Sequence, residues 1–190
     1  MASARAPVPY RKFKSYIGAF MANTAKTSGT CVTGDQRGSR GRRAGKPVSK
    51  DSPSVLAKKA TENMRTVGVI IAEASFSDNA MNGWAFRHFV NYIIGTIHRG
   101  IDNGEEFRKL RTHETGAAYG CPASEVPERW EAFLTELETR MDDPGEDLER
   151  VCAWVEYHVR GTIHPIKDGC GRLATALAAW VMVRRHRSMP

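Results

Sequence analysis

Apolar residues along this chain fall into blocks separated by polar turns, and the spacing inside each block decides which element it predicts. From Ser54, the run SPSVLAKKATENMRTVGVIIAEAS places Val55, Leu56, Met64, Val67, Ile70 and Ile71 at intervals near three and four, which predicts a helix over 54–74. NGWAFRHFVNYIIGTIHRG then brings Trp84, Phe86, Phe89, Val90, Ile93, Ile94 and Ile97 together, too many for a narrow stripe, so a central helix covered on most sides is expected. Between Asn103 and Pro127 the helical period fails at Gly116, Gly120 and Pro122, and a short hairpin or extended loop is expected there. Pro127 opens PERWEAFLTELETRM, with Trp130, Phe133, Leu134, Leu137 and Met141 on one face and glutamates on the others. GEDLERVCAWVEYHVRGTI comes next as an amphipathic helix whose acids sit in the first turn, where the helix dipole favours them, and Gly161 is its expected stop. A last helix from Gly171 to Arg187 is apolar through Leu173, Ala174, Leu177, Ala178, Val181 and Met182, and ends in cations. The resulting fold class is all-α, a helical bundle with one small β-hairpin.

Charge divides the chain differently. The net charge is +7, but residues 1–50 hold 11 lysines and arginines against one aspartate, while residues 51–190 hold 17 basic and 20 acidic side chains. The basicity belongs to a leader. Its stretch TAKTSGTCVTGDQRGSRGRRAGKPVSKDSPS has almost no apolar side chains to offset the entropy of ordering it. The expected organisation is a largely flexible basic arm over 1–53, with a short helix over 9–22, and one domain over 54–190. Such an arm suits a nucleic acid or another acidic partner, although the cluster from Arg37 to Arg43 lacks the interleaved aromatics that base stacking uses, and a solubilising tail is the plainer reading. No apolar run approaches the ~18 residues that a membrane span requires, and Arg11, Lys12 and Lys14 interrupt the only candidate signal region. No membrane is expected, and the cytoplasm is the expected location. Cysteines at 31, 121, 152 and 170 show no metal-site or CxxC spacing, as reduced thiols would not.

The chemistry concentrates in HPIKDGCGRLATALAAW, His164–Trp180, where polar turn residues open directly into the most apolar helix. A helix start leaves amide hydrogens without intrahelical partners and carries partial positive charge, so a glycine-rich turn feeding it is an anion site. Gly169 and Gly171 let the backbone approach a phosphate, Arg172 adds a planar donor fork, and Cys170 lies between them. Asp168 would repel a bare phosphate, which points to a bridging Mg²⁺. His164, four residues ahead, is the candidate general base. Each piece alone has a plainer reading: a harmless turn, a surface histidine, a capping aspartate. Together they describe phosphoryl-group chemistry. Cys170 is also a candidate reactive thiol, since a helix mouth lowers a thiol pKa. His88, His98 and His113 have no ligand spacing and read as core or surface residues, and His158 as a packing or capping one.

The order of these residues resembles the Fic (Fic/Doc) family signature, HPFx(D/E)GNGRxxR, through His164, Pro165, Asp168, Gly169, Gly171 and Arg172. The resemblance spans about residues 55–187, with Glu105 to Arg108 loosely matching an upstream GxYR segment and 111–126 a β-hairpin flap. It implies a Fic-like helical bundle that transfers a nucleotide-derived phosphoryl group, most commonly AMP from ATP, onto a hydroxyl of a protein or small molecule. By carry-over His164 is the catalytic base, Asp168 holds Mg²⁺, and Gly169, Cys170, Gly171 and Arg172 hold the nucleotide phosphates. Arg108, Arg111 and Thr112 then stand where a flap meets the target, which would add a strand to it.

Three positions depart from the signature: Ile166 for Phe, Cys170 for Asn, and Thr175 for the final Arg that relatives place on the distal phosphates. The family's inhibitory Ser/Thr-x-x-x-Glu-Gly/Asn segment is missing too, because Lys58 precedes the one Glu followed by Gly or Asn, Glu62 before Asn63. These departures imply a donor without a tightly held γ-phosphate. The alternatives are a phosphotransferase or other nucleotide-processing enzyme with a non-standard donor, or a degenerate nucleotide-binding domain without turnover.

Overall fold

The computed structural model describes residues 53–76, 81–101, 108–112, 114 and 120–186, together with Ala19 and Ala22. The basic arm and the helix expected over 9–22 lie outside the described residues except at Ala19 and Ala22, which are both helical.

Among the described residues, five long helices carry the fold. α1 (Pro53–Ser75) buries Leu56, Ala60, Met64, Val67 and Ile71, one residue per turn, so that a single stripe faces inward. α2 (Gly83–Ile97) buries Phe86, Phe89, Val90, Ile93, Ile94 and Ile97. α3 (Val126–Asp142), with Pro127 in its first turn, buries Val126, Trp130, Phe133, Leu134, Leu137 and Met141. α4 (Leu148–Tyr157) is capped by the Asp147 carboxylate, which accepts from the Arg150 amide at 2.8 Å. α5 (Cys170–His186) comes after the His164 loop.

The central helix is α5, not α2 as the apolar count suggested. α5 packs against each of the other four. Leu173, Ala174, Ala176, Leu177, Ala179, Trp180, Val181 and Val183 are all buried, well over half of the circumference, and the remaining stripe of Gly171, Thr175, Ala178, Met182 and Arg185 is half-buried. α2 keeps one open face: Trp84, His88 and Tyr92, four residues apart, all point outward, with Trp84 76% exposed. Ala174, Ala176 and Ala179 let neighbouring helices come close around α5, while the outward face of α2 carries the amphipathic Trp84, His88 and Tyr92.

Helical structure ends at Thr162, one residue beyond the expected stop at Gly161, but its last turn is not an α turn. The helix runs on through a π turn, His158–Thr162, closed by the Ile163 amide donating to the His158 carbonyl at 2.9 Å. The wider turn admits one more residue than an α turn and re-aims the loop beyond it.

The expected hairpin over 111–126 falls largely outside the described residues, since 113 and 115–119 are among those not described. Among the described residues there is no strand; Ala123–Glu125 forms a single 3₁₀ turn ahead of α3. No helix among the described residues is long and apolar enough to cross a membrane.

Candidate active site

The loop from Ile163 to Gly169 joins the π turn to α5, and every residue of its motif takes a distinct position. His164 is the one described non-glycine residue with left-handed backbone, at φ 52°. An L residue there costs ~1–2 kcal/mol, although histidine tolerates it better than most. Its imidazole is half-buried, and Nδ1 lies 3.2 Å from the Arg160 carbonyl. Because that partner only accepts, Nδ1 carries the proton and the ring lone pair is on Nε2. Burial holds the His164 pKa below the ordinary 6.5, and the Arg111 cation pushes the same way against the Arg160 hydrogen bond and Asp168. The ring is therefore neutral at pH 7, as a general base must be.

Arg172 is turned inward. Only 1% of it is exposed; Nη2 donates to Asp168 Oδ2 at 2.9 Å and Nη1 reaches the Ile97 carbonyl at 3.4 Å, while Nε has no partner. The fork that the sequence assigned to phosphate is spent on the end of α2 and on Asp168. Gly169, at φ 85°, sits against that pair: a Cβ on it would stand 3.0 Å from Arg172 Nη2, 3.1 Å from His98 Nε2 and 3.3 Å from Ile97 Cγ2. Glycine is required there by backbone conformation and by close packing on α2, which is a different reason from phosphate access. His98 completes this junction, with Nδ1 3.0 Å from the Ile94 carbonyl and Nε2 3.0 Å from the Asp168 carbonyl. Burial lowers its pKa, and a neutral ring donates to only one of the two carbonyls.

Cys170 is buried, donates Sγ–H to the Ile166 carbonyl at 3.1 Å, and has its pKa pushed up to about 12 by desolvation. It is no reactive thiol: burial outweighs the helix mouth. Asp168 keeps a side chain 31% exposed with one oxygen engaged by Arg172. Thr175 donates to the Gly171 carbonyl at 3.0 Å and lies 3.4 Å from Glu156 Oε1.

Arg111, expected at a target, is buried at 5% exposure, and its guanidinium serves the backbone of the loop. Nε donates to the His164 carbonyl at 2.7 Å, and Nη2 donates to the Ile163 carbonyl at 3.1 Å and to the Cys121 carbonyl. Side chains of that kind are spent on structure, because an unserved buried carbonyl costs more than the bond returns. Arg108 and Thr112 are exposed, and residues 105–107 of the segment matched to GxYR lie outside the described residues.

One cation at the helix mouth was missing from the motif as the sequence presents it. Arg160 lies beside Gly171, its guanidinium 3.7–3.9 Å from where a Cβ would be, and pairs with Glu156 at 3.2 Å while its side chain is 57% exposed. Its place four residues before His164, in the last helical turn ahead of the loop, was the available signal. Among the described residues no group of three or more His, Cys, Asp or Glu converges as a metal site.

No family model, curated protein or solved structure matches the chain.

Proposed function

We propose that this chain is a Fic-like transferase that moves a nucleotide-derived phosphoryl group, AMP or a related nucleoside monophosphate, onto a hydroxyl of a protein or small molecule. The observation that carries the reading is His164: a half-buried, neutral imidazole, with its proton on Nδ1 and its lone pair on Nε2, on a strained backbone at the mouth of α5. Strain held at one residue of a glycine-rich loop is characteristic of sites that pre-organise a reacting group.

His164 Nε2 takes the proton of the acceptor hydroxyl. The oxygen forms a bond to the α-phosphorus, and the bond from that phosphorus to the leaving diphosphate breaks. A positioned base contributes roughly 10²–10⁴ in rate. The amides of Cys170, Gly171 and Arg172, which open α5, would face the anion. The exposed Arg160 takes the phosphate role expected of Arg172, exchanging Glu156 for the donor. Asp168 would hold Mg²⁺ through the oxygen not engaged by Arg172, together with donor phosphates, which suits an ion that accepts one or two carboxylates and keeps its waters. When bound, Mg²⁺ neutralises phosphate charge. An open cleft of about 520 Å³, lined by Gly120, Cys121, Tyr157, Gly161 and Thr162, lies beside His164 through Gly120 and is large enough for an acceptor side chain.

The sealed Asp168–Arg172 pair favours a second reading, a nucleotide-binding domain without turnover, because both charges of the motif are already partnered. One experiment separates the two. The chain is incubated with ATP and other nucleotides labelled separately on the α and γ phosphates, beside His164→Ala. Label from α in wild type and none in the variant is expected. Label from γ selects phosphotransfer, and binding without transfer from any donor selects the non-catalytic domain.

A further inference from the structure

We propose that Arg111 is a positioning residue for His164: its fixed donor fork holds the left-handed backbone of 163–165 and so aims the imidazole. This rests on His164 being the base of the proposed reaction. An L residue at φ 52° persists only where its surroundings over-determine it, and three features do so here. The Arg111 side chain donates to the carbonyls of Ile163 (3.1 Å) and His164 (2.7 Å), while its own amide donates to the carbonyl of Pro165 at 2.9 Å, so one residue serves three consecutive peptide groups. Gly120 covers the turn. Its amide donates to the Gly161 carbonyl at 2.7 Å, and a Cβ on it would meet His164 Cβ at 3.0 Å and Arg111 Nη2 at 3.1 Å, so at φ 87° only glycine lets the two segments close. The third is the π turn, which delivers Ile163 one residue out of α register.

Lysine is no substitute for this arginine. Two donors in one plane meet two successive carbonyls, a geometry that a single ammonium does not reproduce. The charged groups that bear on His164 are Arg111 from the 108–112 segment and Asp168 from its own loop, with the Arg160 carbonyl as hydrogen-bond acceptor. The Arg111 cation thus also favours the neutral ring.

The test tracks the imidazole itself. Ring nitrogen NMR across pH is recorded on wild type, Arg111→Lys and Arg111→Gln, with His158, which takes its electrostatics from Glu136 and Arg140, as internal reference. Label transfer is measured in parallel. In Arg111→Gln the His164 midpoint rises, its Nδ1–H tautomer preference weakens, and the His158 signals stay put. A misplaced reacting group costs about 10²-fold, so kcat falls by that order with KM little changed, and Arg111→Lys does not restore it. Folded variants with His164 signals and kcat as in wild type overturn the proposal. If neither Arg111 variant folds, Gly120→Ala decides: its Cβ presses on both the Arg111 fork and His164 Cβ, and unchanged His164 signals there also overturn the proposal. A wild type that transfers no label defeats the transferase reading while the ring signals still decide on positioning. Wild-type transfer that survives Arg111→Gln defeats positioning alone.

Discussion

Two buried arginines close the two ends of the His164 loop, and they do it in opposite ways. Arg111 enters from the 108–112 segment and donates to neutral carbonyls at the start of the loop, with the exposed Glu114 carboxylate 4.0 Å from Nη1, leaving His164 half-buried and accessible. Arg172 enters from α5 and meets the one carboxylate of the loop at its end, so Asp168 and Arg172 satisfy each other beside Ile97 and His98. The first clamp preserves a chemical group and the second absorbs two. A residue's charge is thus no guide to its role until its acceptor is known: among carbonyls arginine organises backbone, and beside a carboxylate it neutralises.

The sharpest way to break this contrast is to remove each partner of the second clamp in turn. Asp168→Asn leaves a guanidinium 99% out of solvent with neutral acceptors but no counter-charge, and loss of about 3 kcal/mol is expected for stranding a buried charge. Arg172→Met strands only a carboxylate that water already reaches, and the apolar replacement fills the space, so its loss should stay under about 1.5 kcal/mol. Urea unfolding measures both. Equal losses would mean that the pair is not organised as described.

The two motif glycines give a smaller contrast. Gly169→Ala forces a side chain onto φ 85° and into Arg172 and His98, and should cost about 2 kcal/mol. Gly171→Ala meets Arg160 at ordinary contact distance inside a helix and should gain about 0.5 kcal/mol. Reversed signs in thermal unfolding would show that Gly169 is kept for a ligand's approach and not for packing.

Acid provides the mildest probe. His98, His158 and His164 all have folded pKa values below the ordinary 6.5, each first because burial disfavours the charged ring. The unfolded chain binds protons that the folded chain does not, so this contribution is whole above pH 6.5 and is lost as pH falls through the folded values. Unfolding free energy should therefore decline below pH 6.5. A flat profile through that range would place these rings in water.

The sequence was most legible where one rule acted alone. The spacing of Leu56, Met64, Val67 and Ile71 located α1 to within a residue, because a stripe that faces one neighbour needs only the helical period. Pro127 and the acids of GEDLERV marked helix starts for equally local reasons. The choice of central helix failed: counting bulk in Trp84 to Ile97 measured apolarity, whereas enclosure depends on how closely neighbours approach, which the alanines of α5 permit. In the His164 loop, spacing grouped His164, Asp168 and Gly169, which the structure also places in one loop, while Arg160 was overlooked and Arg111 was placed at a target.

Sequence by itself determined the helices and the loop between the fourth and the fifth, because hydrophobic period and turn residues act over a few positions. Tertiary structure decided everything that depends on which way a long side chain turns. Arg172 could reach outward to an anion or inward to Ile97, and Arg111 outward to a target or inward to Ile163 and His164. Those choices are settled by backbone carbonyls up to 75 residues away along the chain, buried groups whose need for a donor no local pattern records.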